Sequence, residues 1–96
     1  MSETRTKEEL AATVDVAEWQ WIKPHCERGV LITVSPGLEL AEAGFRIATD
    51  DAAAVGAWIA EGVIGKPTAE EIGEWDREPA RRFPVLIVSP YILMQK

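Results

Sequence analysis

The run Val85-Leu86-Ile87-Val88 constrains this chain more than any other part of it. Successive side chains of a strand point to opposite faces, so Val85 and Ile87 go one way and Leu86 and Val88 the other. A strand that is apolar on both faces is covered on both. Val30-Leu31-Ile32-Thr33-Val34 has the same property everywhere but Thr33. Two arrangements satisfy this: the chain's own helices cover both sides of the sheet, or a second protein chain covers one of them. The last run, Tyr91 to Met94, is also apolar, and a bare apolar edge invites pairing. It therefore favours a homodimer, unless this strand lies inside the sheet of a monomer. Pro90 removes one ladder donor, so a bulge, bend or edge is expected at Ser89-Pro90.

Helix signals fill the rest. Thr6 with Glu9 and Thr68 with Glu71 have capping-box spacing. Leu10 and Val14 follow the first box; Ile72 and Trp75 mark the inner face after the second, which Pro79 ends. Asp15 reads as the cap of a further turn carrying Trp19 and Ile22. Lys23-Pro24 breaks that turn, and a short helix from Pro24 to Arg28 is closed by Gly29. A helix over about Leu38 to Thr49 places Leu40, Gly44, Ile47 and Ala48 on one stripe. Gly44 within it points to close packing, because glycine there costs up to about 1 kcal/mol relative to alanine. Asp51 caps the next helix, whose buried stripe is Val55, Trp58 and Ile59, and Gly62 ends it. Val63-Ile64 is long enough only for a very short strand. The expected class is α+β, a small sheet of about three strands packed with four to five short helices. Residues 1–96 form a single domain in this reading, with residues 1–5 flexible.

At 96 residues and 47% apolar content the chain can bury one core. Cys26 is the sole cysteine, so no internal disulfide exists. The polar N-terminus is unlike a signal peptide, and no apolar run is long enough to cross a bilayer. A cytoplasmic protein without membrane contact is expected. The net charge is −6, and residues 37–79 carry 3 basic and 10 acidic side chains. Such an acidic middle repels phosphate backbones, which makes nucleic acid a poor partner.

His25-Cys26 is the one pair of nucleophile and base types. Helical neighbours diverge by about 100°, and no second histidine can help to ligate a metal. A surface histidine beside a buried cysteine explains the pair, so no catalytic residue, metal or cofactor is expected. Asp50-Asp51 lacks the further oxygens of a calcium loop. Gly62, Gly65 and Lys66 lack the spacing of a phosphate loop. Arg28, Arg81 and Arg82 suit a carboxylate or phosphate ligand, or more simply the carboxylates of the chain itself. Trp58 and Trp75 fall on apolar stripes. Trp19 and Trp21 cannot share a helical face, and Trp21 is the one expected at the surface. Interfaces favour Trp and Arg, so Trp21, His25, Arg28 and Arg82 are the candidate binding residues.

The order Trp19, Pro24-His25, Arg28-Gly29, Val55, Trp58, Pro67-Thr68, Trp75, Phe83 and Leu86-Ile87-Val88-Ser89-Pro90-Tyr91-Ile92-Leu93 resembles the domain-of-unknown-function family 2288. Ser89 stands where that pattern leads one to expect glutamine. The resemblance spans nearly the whole chain and implies a stand-alone bacterial cytoplasmic protein, with no activity or cofactor to carry over. Three functions follow as expectations. The first is a non-enzymatic, self-associating protein-interaction or regulatory module. The second is a domain binding an anionic small molecule in a Trp-lined cleft. The third is an enzyme using His25.

Overall fold

The computed structural model describes residues 6–96; the expectation made for residues 1–5 lies outside them. Along the chain come α1 (Lys7–Ala12), β1 (Asp15–Glu18), α2 (Trp19–Glu27), β2 (Leu31–Val34), α3 (Leu40–Ala48), α4 (Ala52–Ala60), β3 (Ile64–Gly65), α5 (Ala69–Asp76), β4 (Arg82–Val88) and β5 (Tyr91–Gln95). Mixed α and β content is as expected, but the sheet has five strands rather than about three, in the order β1-β4-β5-β2-β3. Only the β2–β5 pair is parallel.

The alternation read from Val85 to Val88 sorts the core into two layers. Leu86 and Val88 join Ile32, Val34, Ile64 and Leu93 on one face, under α1, α3 and α4. Phe83 and Val85 join Leu31, Ile92 and Met94 on the other, under α2 and α5. The chain's own helices thus supply both covers. Coverage is uneven at one corner, where Val85 is 8% exposed but Ile87, two residues on, is 59% exposed.

Strand β5 lies between β4 and β2, so the apolar C-terminal run is no bare edge and gives no reason for a twin molecule. Ser89-Pro90 forms the turn of the β4–β5 hairpin, with Val88 opposite Tyr91, so of the bulge, bend or edge expected there the chain makes the bend. The Gln95 side chain fixes the far end of β5, its Nε2 donating to the carbonyls of Ser35 (2.7 Å) and Leu38 (2.9 Å).

Both capping boxes form, with each threonine hydroxyl accepting from the backbone N–H three residues on. Asp15 does not cap a helix. It begins β1, paired to β4, and α2 starts at Trp19 instead. Nor does Pro24 break α2, which runs through it to Glu27. Proline there leaves the Gln20 carbonyl without its helical donor, but both residues are exposed and water can satisfy that oxygen. Gly29 closes the helix at φ +78°, a backbone region that glycine enters without steric cost.

Candidate functional site

Helix α4 has the sequence Ala-Ala-Ala-Val-Gly-Ala-Trp-Ile-Ala and is the only helix among the described residues without a charged side chain. Asp51 caps it as read from the sequence, Oδ1 accepting from the Ala54 N–H at 3.2 Å. The Arg46 guanidinium braces this end, bonding Glu42 at 2.8 Å and Asp51 at 3.1 Å. The expected buried stripe is not found, because no residue of α4 is buried. Val55 and Trp58 are half-buried against the α3 layer, whereas Ile59 is 57% exposed. Ala53, Gly56, Ala57 and Ala60 complete an exposed face at helical spacing. The sheet is too narrow at β3, two residues long, to hold α4 more deeply.

Beneath the rim of α4 lies a cleft of about 440 Å³. Ile32, Ile47, Val55, Ile59, Ile64 and Tyr91 line it, and Gly29 and Lys66 close one side. Lys66 also borders a polar groove on the far side of β3, whose walls include Glu70, Glu71, Glu74 and Lys96. There burial pushes the Glu71 carboxyl up. The Lys96 ammonium at 2.9 Å and the Thr68 backbone more than offset this and hold it below the usual glutamate range.

Trp21 is 70% exposed, whereas Trp19 is 1% exposed, as their spacing predicts. The Trp19 indole N–H donates to Asp76 at 2.8 Å, and its ring meets Trp75, which in turn meets Phe83. That hydrogen bond first, and then Lys23 at 3.1 Å, hold the Asp76 carboxyl below its ordinary value. Trp21, His25 and Arg28 follow one another on α2 and its C-cap at helical spacing. Arg82 opens β4 opposite Glu18, the residue before α2. It is therefore at the other end of α2 from Arg28, roughly 15 Å away at 1.5 Å rise per residue. None of these four side chains lines the apolar cleft.

His25 and Cys26 are both half-buried, rather than a surface histidine beside a buried cysteine. The His25 Nδ1 is itself buried and bonds to no described residue, so nothing orients the imidazole as a general base requires. Burial, helped by Glu27 and Asp76, pushes the Cys26 thiol above its ordinary value and away from the reactive thiolate. Among the described residues no three His, Cys, Asp or Glu side chains are placed to hold a metal ion. No helix among them is long and apolar enough to cross a membrane.

The profile of one protein family, described as a protein of unknown function (DUF2288), matches residues 5–96. The chain belongs to the DUF2288 family. This agrees with the resemblance carried by the tryptophans and the Leu86–Leu93 run. This DUF2288 chain is also similar to PA1075 from Pseudomonas aeruginosa, whose solution structure was determined by NMR. The two share 26% sequence identity at a TM-score of 0.79, over 99% of this chain and 89% of that one. No curated protein matches the DUF2288 chain in sequence. The fold is thus shared with PA1075, and neither comparison attaches an activity to it.

Proposed function

We propose that this protein is a self-associating interaction module of the bacterial cytoplasm, acting as one α+β domain, and that its copies meet through α4. The observation that carries this reading is a nine-residue helix with no charge and no buried residue. A two-fold axis would set α4 against α4, an isologous contact with no like charges to repel within it. Elsewhere a chain of net charge −6 repels its own copy, so the neutral helix is where two copies approach at least cost. The small side chains of Ala53, Gly56 and Ala57 let backbones come close, and Ile59 supplies an apolar anchor.

A helix of this length spans only about 14 Å. Its footprint falls well short of the roughly 800 Å² per partner of a standard interface, so association is weak and concentration-dependent. Light scattering across a concentration series tests this. The native chain should rise from monomer mass toward dimer mass, and Ala57→Glu, an exposed change to a good helix former, should stay monomeric. A native chain that keeps monomer mass at the millimolar concentrations used for NMR refutes the reading.

A further inference from the structure

Lys66 stands where the apolar cleft meets solvent, and no carboxylate answers it. Lys7, Lys23, Arg46, Arg81 and Lys96 each lie within ion-pair distance of an acid. Lys66, like Arg28, Arg77 and Arg82, forms no ion pair with a described residue, although Glu70, Glu71 and Glu74 border the groove on its other side. Its ammonium leans the opposite way. A Cβ built on Gly29 would sit 3.8 Å from Nζ, and Gly29 lines the apolar cleft but not the polar groove. No acidic side chain lines the apolar cleft, and Tyr91 brings a hydroxyl that bonds to no described residue. Its volume, about 440 Å³, falls within the range of sites for small molecules.

We propose that this cleft binds a small amphiphilic carboxylate, its apolar body against Ile32, Val55 and Ile59 and its head group on Lys66. Aliphatic walls favour an apolar body by removing it from water. A single ammonium is a point charge that balances one singly charged carboxylate, whereas a doubly charged phosphate would leave a charge unanswered in an acidic protein. In a protein of net charge −6 an anion is recognised only where a local cation outweighs the general field, and Lys66 is that cation in this cleft. The site does not depend on self-association.

The test is an amide NMR titration of the full chain with sodium octanoate, and with 1-octanol as the uncharged counterpart. Saturable shifts are expected at Gly29, Ile64, Gly65 and Tyr91. Lys66→Met should weaken octanoate about three- to fivefold and leave octanol within about twofold, as loss of one exposed charge pair predicts. Ile59→Glu places an acid in the cleft and should abolish octanoate binding. Both positions are exposed, so well-dispersed spectra of the variants will show that the fold is kept. Absence of saturable shifts at those amides, or equal octanoate affinity in Lys66→Met, overturns the proposal. Light scattering on the same samples reads self-association separately.

Discussion

Replacing Gly44 by alanine should destabilise this protein, although the same change in an exposed helix stabilises one. Gly44 sits in α3 where the helix crosses β4, and it is buried. A Cβ added there would fall on the Leu86 Cδ2, well inside contact distance, and 3.3 Å from the Val88 Cγ2. Leu86 is 0% exposed and Val88 9%, so neither side chain has open space to retreat into. Overpacking of this kind costs about 2 kcal/mol, against about 1 kcal/mol gained in helix propensity. The net loss is about 1 kcal/mol, or about 4–8 °C in Tm for a domain of this size. Leu86→Ala alone should cost about 3 kcal/mol through the cavity it leaves. In that background the added methyl has room, and Gly44→Ala should turn stabilising by about 1 kcal/mol, its helix term alone. Urea unfolding followed by tryptophan fluorescence, run on all four corners of the cycle, gives these values. The reasoning is refuted if Gly44→Ala is neutral or stabilising in the native background, or if its effect keeps the same sign when Leu86 is truncated.

Acid should weaken the fold through Glu42 and Asp76. Arg46 first and then Lys7 hold the Glu42 carboxyl below the usual range, as Trp19 and Lys23 do for Asp76. A carboxyl whose folded pKa is depressed adds stability that is complete above its unfolded value and is lost as pH falls through the folded one. Urea midpoints measured from neutral to acid pH should therefore drop below the ordinary carboxylate range, and Glu42→Gln should flatten part of that drop. Cys26 should be slow to alkylate at neutral pH, because burial keeps its thiol protonated, and should speed up only above the usual thiol range. Rapid modification of the folded chain by iodoacetamide at pH 7 would contradict the burial argument.

What could be read from the sequence was set by local chemistry, and what could not was set by pairing. The two capping boxes, the Asp51 cap and the closing glycines at 29 and 62 are each decided within four residues, and all form. The doubly apolar β4 implies cover on two sides, which holds except at Ile87, because alternation along one strand is itself local information. Strand β1 was illegible for the opposite reason. Asp15 to Glu18 has a single β-branched residue, Val16, and becomes a strand only because β4 offers it an edge. Proline at position 24 was over-read. Its cost depends on whether the freed carbonyl meets solvent, which no spacing rule reports.

The α4 helix shows where a hydrophobic pattern stops being informative. Period alone marks Val55, Trp58 and Ile59 as an inner stripe, and an amphipathic helix would oppose them with charge. Here the outer face is alanine and glycine, so pattern does not say how deep the helix sits, and β3 is too short to hold it down. The missing charge is legible in the sequence, and it is less usual than the exposed Trp21. One exposed aromatic is ordinary on a protein surface, whereas a solvent-facing helix without a single charged side chain is not. Such a surface gains from being covered, whether by a second copy on its outer face or by an apolar acid in the cleft at its edge. The two proposed occupants share Ile59 but otherwise use different residues, Ala53, Gly56 and Ala57 for a second copy and Ile32, Val55 and Lys66 for the acid. Ala57→Glu should therefore abolish association while leaving octanoate bound, and Lys66→Met should weaken octanoate binding while leaving association intact.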